Sequence, residues 1–492
     1  MSGLPTESTR KFGVVGGLGP LASADVFFKM VKATSASSDA DHVEMIFEQR
    51  PFGSAGLSSA PTTERKLYIF DMIRDFEKRG VTTVVLPCFL SHTFIDELRA
   101  NTNLPIADIV EAIRSHVQRK FPHARRVGVL AANYTREYRL FEKYFLSPQF
   151  EVIYPRAAGD VDLVTEAIYG LDGIKSGNLC GRPVELLRAA CADLVAQNVD
   201  VIVPGLTEIS LMAAELGAQP VPVVDSNMVY AQYAVSGQAT SPARVFKVGV
   251  VGGVGPAATV DFLDKIVRNT PASRDQEHIK ILVEQNPQIP DRTENLIGHG
   301  ADPTIALYAT CKKLEEGDAD IIAVPCNTAH AFVDRIQPHL SIPIVNMLTV
   351  TAQYLRERFP TTRNIGVLAT SGTIESGVYS KALESLGLKQ VAPSAALQAR
   401  VMDAIYGEGG VKAGFSTGRC QDDIAAAVEG LVAEGVEVIV LGCTELPILL
   451  PSGKYLCRNG VSVTLVDPTE VLARQCIAFA KDAVHQVDVP SA

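Results

Sequence analysis

Two cysteines stand at equivalent places in the sequence, each just after a short apolar run. Cys326 comes after Ile321–Val324, Cys443 comes after Val438–Leu441, and polar residues follow in both cases. A thiolate can take a proton from carbon, and a thiol can return one. Two such groups facing each other across a cleft could invert a carbon centre next to a carboxylate without a cofactor, if fixed donors stabilise the developing enolate.

The segment that begins at Cys326 reads Cys-Asn-Thr-Ala-His and ends at His330. It predicts a strand-to-helix junction, where the partial positive charge of a helix N-terminus favours a thiolate. His330 would then lie one turn further along the same helix face. Two interpretations stay open for this histidine: it tunes the thiol, or it packs in the core.

A glycine-rich turn, Gly252 to Pro256, follows the first apolar run of the same region. Backbone N–H groups in such a turn can bind an anion. Positions 253–258 also read G-x-G-x-x-A, but Pro256 removes an N–H group, and no acidic residue ends the next strand as in a dinucleotide site. We therefore favour a substrate carboxylate or backbone near Gly253 and Gly255 over a nicotinamide nucleotide.

The elements that must position these residues alternate between apolar runs and amphipathic stretches. Between residues 248 and 466, six β-branched runs of strand length are separated by helical patterns such as Ile305–Glu316 and Asp422–Ala433. Runs without polar alternation are typical of parallel strands buried on both faces. The pattern predicts an α/β fold of doubly wound parallel sheets, in which ligands bind beyond the carboxyl ends of the strands.

The chain contains this unit twice. Residues 247–261 repeat residues 11–25 at ten of fifteen positions, and an offset of 236 to 238 residues persists along the chain. The period is far too long for a solenoid, so the repeat predicts two similar domains in tandem. We expect residues 1–235 to form the first unit, 236–244 a linker of small residues, and 245–492 the second unit.

Composition limits the classes of function and of partner. The 492 residues are 47% hydrophobic and 20% charged, which is typical of a globular protein. The formal net charge of −10 without a basic run argues against nucleic acid and anionic membranes. No apolar stretch is long enough to span a membrane, and Met1–Arg10 lacks the apolar core of a signal peptide, which predicts a cytoplasmic protein.

The nine cysteines are odd in number and irregularly spaced, and the sequence contains neither CxxC nor HExxH. This pattern predicts reduced thiols and argues against a structural metal site. We therefore expect no metal and no other cofactor.

At the residues that carry the chemistry, the sequence resembles the aspartate/glutamate racemase family, and more closely its aspartate racemase branch. The resemblance covers essentially the whole chain, once in each unit. In the second unit it rests on GGVGP (252–256), PQIPDRT (287–293), CNTAH (326–330), ATSGT (369–373), AIY (404–406) with Lys412, and GCTE (442–445).

The resemblance implies a racemase independent of pyridoxal phosphate, with two similar α/β lobes in each unit and one catalytic cysteine on each lobe. Cys326 and Cys443 match those cysteines. Arg292 and Lys412 match the cations that hold the substrate carboxylate, in agreement with the cost of burying an unpaired anion. The positions around the α-carboxylate and amino group are Asn327, Thr328, Thr373 and Thr444, and we add Gly253, Gly255, His330 and Glu445 as supporting residues.

We therefore expect a racemase acting on a small acidic amino acid, aspartate or glutamate. Three alternatives stay open: another two-cysteine isomerase, such as a hydantoin racemase or a maleate isomerase; a ligand sensor built on a racemase fold without activity; and a nicotinamide-dependent dehydrogenase. The PQIPDRT segment and Lys412 favour the acidic amino acid. The residues do not distinguish aspartate from glutamate, or which cysteine serves which enantiomer.

The first unit departs from the pattern at the groups that transfer protons. It keeps Cys88 and Lys175, but Leu206 stands at the position of the second cysteine. A leucine cannot transfer a proton, so the two-base mechanism is not available there. Phe89 and Leu90 replace the polar pair after the first cysteine, and we expect their bulk to fill a carboxylate site.

The segment that corresponds to PQIPDRT is also changed, to PFGSAG at 51–56. We predict that the first unit is a degenerate, non-racemising domain that docks on the second as an intrachain pseudo-dimer. Further homo-oligomerisation is left open. A one-base reaction of Cys88 is the alternative interpretation of this unit.

Overall fold

The computed structural model describes residues 10–50, 52, 63–159, 161–217, 219–239 and 245–487. The chain divides into two compact units, Met1–Arg244 and Val245–Ala492. Residues 240–244 of the predicted linker lie outside the described residues. The PFGSAG segment of the first unit does so too, apart from Phe52.

In the described part of the first unit the strands form two parallel sheets. The strands are β1 (Lys11–Val15), β2 (Glu44–Glu48), β3 (Thr83–Val85), β4 (Ile106–Ala107), β5 (Arg126–Leu130), β6 (Glu151–Ile153) and β7 (Val201–Pro204). The sheet orders are β2-β1-β3-β4 and β6-β5-β7. The helices are α1 (Pro20–Ala33), α2 (Thr63–Lys78), α3 (Ile95–Arg99), α4 (Ile109–Lys120), α5 (Asn133–Glu137), α6 (Leu163–Tyr169), α7 (Arg182–Ala196), α8 (Ala213–Leu216) and α9 (Ser226–Val235).

The second unit repeats this arrangement. Its strands are β8 (Lys247–Gly252), β9 (Lys280–Gln285), β10 (Ile321–Ala323), β11 (Ile344–Val345), β12 (Asn364–Leu368), β13 (Lys389–Val391), β14 (Val438–Leu441), β15 (Gly453–Leu456) and β16 (Ser462–Val466). The sheet orders are β11-β10-β8-β9 and β13-β12-β14-β16-β15. Every pairing is parallel except that of the edge strand β15 with β16.

Helices connect the strands of the second unit. They are α10 (Pro256–Asn269), α11 (Arg292–Ile297), α12 (Thr304–Glu316), α13 (Val333–Ile336), α14 (Met347–Arg358), α15 (Ser371–Glu375), α16 (Val378–Glu384), α17 (Ala395–Tyr406), α18 (Arg419–Ala433), α19 (Leu446–Leu449) and α20 (Pro468–Val487). The prediction of a tandem α/β protein built from doubly wound parallel sheets is thereby confirmed.

The central strands of each sheet are buried on both faces, as their apolar sequences require. Successive side chains of a strand point to opposite faces. In β8, Val251 packs with Leu307 of α12, whereas Val250 packs with Phe262 of α10 on the other side. Continuous apolar runs therefore fold as strands between two helical layers.

The last helix of the second unit packs on the lobe that is first in sequence. Leu472 and Cys476 of α20 belong to the same buried cluster as Val250 and Phe262. In the first unit, Tyr230 of α9 packs in the core of the β1 sheet in the same way. Within the described residues, none of the helices combines the length and apolar character that crossing a membrane requires.

Candidate active site

The topology brings the residues that follow the first and third strands of each lobe to one crevice. In the first lobe of the second unit β8 pairs with β10, and in the second lobe β12 pairs with β14. Chain connections leave these paired strands toward opposite sides, which opens a binding crevice at their carboxyl ends. Cys326 follows β10 and Cys443 follows β14, so each thiol stands at such a crevice.

Both thiols line one small pocket, to which both lobes of the second unit contribute. Cys326 and Cys443 are each 7% exposed. The cavity has a volume of about 20 Å³, roughly the space that one water molecule needs. The lining residues are Val254, Arg292, Thr293, Cys326, Asn327, Thr328, Thr370, Tyr406, Lys412, Gly442, Cys443, Thr444 and Glu445.

Cys443 is held by a carboxylate that is itself paired with a lysine. Its Sγ donates a hydrogen bond to Oε2 of Glu445 over 3.0 Å, and Nζ of Lys412 lies 3.0 Å from Oε1 of the same group. Burial raises the pKa of Cys443 well above its usual range, and the charge of Glu445 adds to this effect. Cys443 is therefore a neutral thiol in this state.

Lys412 and Glu445 are both buried, and each one stabilises the charged form of the other. Burial alone would raise the pKa of Glu445, but Lys412 outweighs it, and the pKa is lowered. Burial likewise opposes the charge of Lys412, yet Glu445 raises the pKa of this lysine. The ammonium group also lies 5.2 Å from the centre of the Tyr406 ring. The pair is thus ionised on both sides.

Arg292 supplies a fixed cation near Cys326. It begins α11, whose N-terminus is capped by the side chain of Asp291. The guanidinium donates to the carbonyls of Pro290 at 3.1 Å and Val254 at 3.2 Å. Its buried Nε has no hydrogen-bond partner among the described residues. Burial works against the charge, but Cys326 and Asp291 nearby raise the pKa of Arg292.

Asn327 presents a second buried donor. The hydroxyl of Tyr379, itself completely buried, donates to Oδ1 of Asn327 over 2.6 Å. This hydrogen bond fixes which end of the amide is the acceptor. Nδ2 is left without a hydrogen-bond partner in the described part of the chain. A buried N–H donor without a partner is costly, and a bound acceptor would remove that cost.

Threonine hydroxyls connect the two lobes beside the thiols. Thr328 follows the first-lobe strand β10, and its Oγ1 lies 2.7 Å from Oγ1 of Thr373 and 3.3 Å from Oγ1 of Thr370. The latter two belong to the second lobe, where Oγ1 of Thr370 also accepts from the N–H of Thr373. Thr293 donates to Thr370 over 3.1 Å. The cluster forms a polar wall across the lobes.

The glycine turn makes room for neighbouring groups. Gly253 and Gly255 adopt φ of +88° and +123°, a region that glycine enters without strain. A Cβ at Gly253 would lie 2.3 Å from the carbonyl carbon of Asn286, and one at Gly255 would lie 2.9 Å from Oε1 of Glu445. Neither glycine lines the pocket. Because they have no side chain, these glycines allow the backbone to pass close to Asn286 and Glu445.

The regular helix expected after Cys326 does not form. Thr328–Ala331 is a 3₁₀ turn, and the four-residue helix α13 follows it, so little helix dipole acts on the thiol. His330 donates from Nε2 to the carbonyl of Val324 over 3.2 Å, and burial lowers its pKa to about 4. It is a neutral, buried histidine bonded to the backbone.

The structure thus brings most of the predicted residues to one place. Of those not lining the pocket, Thr373 contacts a lining threonine, whereas Gly253, Gly255 and His330 serve local packing. Sequence reasoning missed Thr293, Thr370, Tyr406 and Tyr379. The first three lie inside segments already singled out, while nothing in the sequence marks Tyr379.

No group of three His, Cys, Asp or Glu side chains that could hold a metal ion occurs among the described residues.

The corresponding position of the first unit keeps the ion pair without the second thiol. Nζ of Lys175 lies 2.7 Å from Oε1 of Glu208, and the same ammonium donates to the carbonyl of Leu18. Leu206 stands in the place of Cys443, while Cys88 is half-buried. The described lining of this region therefore contains one thiol where the second unit has two.

The expectation that Phe89 and Leu90 fill the first-unit site is wrong. A cavity of about 800 Å³ lies there, and both residues contribute to its wall. The ring of Phe89 stacks on Phe141 in the core, with 5.6 Å between ring centres, so most of its bulk is directed away from the cavity. The first-unit site is larger than its second-unit counterpart.

Fold and pocket together define a two-lobed α/β protein with a cysteine from each lobe at a closed, polar site. A family model described as Asp/Glu/Hydantoin racemase matches residues 15–234 and 251–476, which is most of the chain. The chain belongs to this family, and both units are members of it.

Individual relatives match parts of the chain. The broad specificity amino-acid racemase RacX of Bacillus subtilis (strain 168) is 32% identical over 144 residues, which are 28% of this chain and 61% of that protein. A glutamate racemase of Corynebacterium glutamicum is 34% identical over 173 residues, 34% of this chain and 57% of that enzyme. The chain thus spans between half and two thirds of these relatives' length. Among solved structures, Picrophilus torridus aspartate racemase is 30% identical to this chain, with a TM-score of 0.42. The match covers 48% of this chain and 94% of the chain of that structure.

Proposed function

We propose that the second unit is a racemase of an acidic amino acid that uses Cys326 and Cys443 as its two acid/base groups and needs no cofactor. One observation carries the proposal. Two cysteines from different lobes line a closed pocket in which two buried donors, Nε of Arg292 and Nδ2 of Asn327, have no hydrogen-bond partner among the described residues. Thiols for proton transfer and donors for an anion are thus in one place.

The two thiols have neighbours of opposite charge: Glu445 contacts Cys443, and Arg292 lies near Cys326. This difference favours a starting state in which Cys443 carries the proton. Cys443 keeps its proton, because burial and Glu445 raise its pKa. Cys326 lies near the guanidinium of Arg292, whose charge would stabilise a thiolate formed there. In one direction the sulfur of Cys326 takes the proton from Cα, and Cys443 then gives its proton to the opposite face of the same carbon.

The carbanion formed between these steps carries its charge on the α-carboxylate as an enolate. Nδ2 of Asn327 and the hydroxyls of Thr328 and Thr373 are the donors placed to hold that charge. After turnover Cys326 carries the proton and Cys443 is the thiolate. The reverse reaction begins from this second state, so each enantiomer requires its own protonation state of the enzyme.

The charge of the pocket fits a dicarboxylic amino acid, which has one net negative charge at neutral pH. Glu445 offsets Lys412. Three hydrogen bonds of Arg292 go to backbone carbonyls, which do not neutralise its charge, so the guanidinium can attract a carboxylate. Arginine suits this task because its planar fork can bind a carboxylate through two parallel hydrogen bonds.

Substrate entry requires movement of the lobes. A volume of about 20 Å³ cannot hold an amino acid. We propose that the lobes part to admit the substrate and close around it. Closure would exclude water, which strengthens each electrostatic interaction in the site and protects the carbanion from stray protonation.

The test is incubation of the full chain with L-aspartate, L-glutamate and L-alanine in heavy water, without added cofactor. Circular dichroism follows racemisation and mass spectrometry follows deuterium at Cα. We expect exchange and loss of optical activity with an acidic amino acid, and a much lower rate with alanine. Exchange with alanine alone would contradict the proposed substrate, and no exchange with any amino acid would contradict the proposed reaction.

A further inference from the structure

A line of buried polar side chains extends from the second-unit pocket into the second lobe. Asn327 lines the pocket, and its Oδ1 accepts a hydrogen bond from the hydroxyl of Tyr379 over 2.6 Å. Thr351 of α14 lies beside the same hydroxyl, and its own Oγ1 donates to the carbonyl of Met347 over 2.7 Å. Asn327, Tyr379 and Thr351 are at most 2% exposed. An apolar core would avoid the cost of burying these polar groups, so their presence points to a function.

The first unit fills the same three positions with hydrocarbon. The repeat offset of 238 residues places Phe89, Phe141 and Ile113 at the positions of Asn327, Tyr379 and Thr351, in that order. All three are buried in one apolar cluster, where Phe89 and Phe141 stack with 5.6 Å between ring centres. The fold therefore accepts either a polar or an apolar set at these positions. The polar set occurs in the unit that has both thiols.

The hydrogen bond from Tyr379 determines which end of the Asn327 amide is left for a ligand. Burial raises the pKa of Tyr379 well above its usual range, and the charge of Asp467 adds to this effect. The phenol thus keeps its proton and remains a donor. With Oδ1 bonded to Tyr379, the amide offers Nδ2, which has no hydrogen-bond partner within the described ranges. The opposite orientation would offer an oxygen, which suits an ammonium group and repels a carboxylate.

We propose that Tyr379 is a positioning residue for the racemase reaction: it holds the amide of Asn327 so that Nδ2 donates to the α-carboxylate as this group becomes the enolate. Asn327 belongs to the first lobe and Tyr379 to the second, since they follow β10 and β12. The donor on one lobe is therefore oriented by the other lobe. This role rests on the proposed function, to which it adds a residue outside the pocket lining.

The experiment measures kcat and KM of the full chain for the acidic amino acid that it racemises, L-aspartate or L-glutamate. Tyr379→Phe removes the hydroxyl and introduces the residue that the first unit has at this position. We expect about 10-fold lower kcat with KM changed by less than about 2-fold, because the donor matters most when charge develops on the carboxylate. Tyr354→Phe, at a half-buried tyrosine packed on the same apolar cluster, is the matched control and should keep full activity. Full kcat in Tyr379→Phe would overturn the proposed role.

A double variant shows whether Tyr379 acts through Asn327. Asn327→Leu keeps the approximate shape of the side chain but removes the donor, so we expect about 100-fold lower kcat. Adding Tyr379→Phe to Asn327→Leu should lower kcat by less than about 2-fold more, because the donor to be oriented is already absent. If the loss in the double variant equals the product of the two single losses, Tyr379 acts independently of Asn327 and the proposed role is wrong.

A change of charge at Asn327 tests the orientation of the amide while Tyr379 stays in place. Asn327→Asp keeps an oxygen for the Tyr379 hydroxyl but replaces Nδ2 by a second oxygen. We expect kcat at least as low as in Asn327→Leu, because this oxygen repels the substrate carboxylate. Nearly full activity would overturn the proposed orientation. Absence of racemisation in the wild-type chain would contradict the proposed function itself, whereas an active wild type with an equally active Tyr379→Phe contradicts only the role of Tyr379.

Discussion

Both units hold a lysine–glutamate pair at the same place, and in the second unit the thiol of Cys443 donates a hydrogen bond to the glutamate. The pair is Lys175 with Glu208 at 2.7 Å in the first unit and Lys412 with Glu445 at 3.0 Å in the second. It forms equally well next to Leu206. The ion pair is therefore a property of the shared fold, whereas the thiol at this position is present in the second unit and absent from the first.

The two sites also differ in the hydrogen bonds between their lobes. In the second unit, the hydroxyl of Thr328 on one lobe bonds to Thr370 and Thr373 on the other. In the first unit Leu90 stands where Thr328 would be, and Thr135, the counterpart of Thr373, donates to the carbonyl of Ala132 in its own lobe. A leucine cannot make the interlobe hydrogen bond. The interlobe hydroxyl contacts are thus one difference between the closed site and the open one.

The largest effect that separates the units should come from the thiols. We expect Cys326→Ala or Cys443→Ala to lower the racemisation rate by about 10³-fold or more, because either variant removes one acid/base group. Cys88→Ala is the matched control and should keep nearly full activity. Measured kcat for both substrate enantiomers checks this. A comparable loss in Cys88→Ala would show that the first unit takes part in the reaction.

A smaller loss should follow removal of the cation near Cys326. We expect Arg292→Gln to lower kcat/KM for the acidic substrate by about 10- to 100-fold, since a charged hydrogen bond to the substrate carboxylate is lost. Arg419→Gln, at a strongly exposed arginine of the same unit, is the control. If neutral and acidic amino acids lose activity equally in Arg292→Gln, this arginine does not select the side-chain carboxylate.

The carboxylate that contacts Cys443 should set the alkaline limit of one reaction direction. Where Cys443 acts as the acid, activity falls as pH rises through its pKa, which burial and Glu445 raise. Glu445→Gln removes a nearby negative charge, so we expect this limb of the pH–rate profile to move to lower pH by about one pH unit. Glu434→Gln, at an exposed acid, should leave the profile in place. An unmoved limb in Glu445→Gln would mean that the carboxylate does not act on the thiol.

The smallest effect should come from restoring a thiol to the first unit. We expect Leu206→Cys, placed in the inactive Cys326→Ala background, to give no measurable racemisation. Cys88 would then have a partner, but Leu90 and Ala132 still lack the polar groups of Thr328 and Thr370. Recovery of racemisation would show that two thiols suffice in this fold. The same variant without Cys326→Ala measures any disturbance of the second unit.

The sequence predicted the parts of the fold that are long and strongly patterned. The runs Val248–Val251 and Val438–Leu441 lie within β8 and β14, and Ile305–Glu316 lies within α12. Short or polar strands gave no such signal. β11 has only two residues, and the edge strand β15 is mostly exposed, so neither has an apolar run to reveal it.

Within the site, the two thiols were easier to predict than the residues that support them. Cys326 and Cys443 stand out because thiols at strand ends are few. Tyr379 does not, because its role depends on a hydrogen bond to Asn327 across 52 residues of sequence. The size of the first-unit cavity was likewise not predictable, since it depends on where the ring of Phe89 turns within the core.

Helix α20 is the last element of the second unit to be synthesised, yet it packs on the lobe that is synthesised first. Strands β8 to β11 leave the ribosome early, but Leu472 and Cys476, which cover one face of β8, follow about 220 residues after it. Until they emerge, that face exposes Val250 and Phe262 to solvent. Within the second unit, the lobe synthesised first is therefore the last to be completed, and one of its apolar faces stays incompletely covered while about 220 further residues are added.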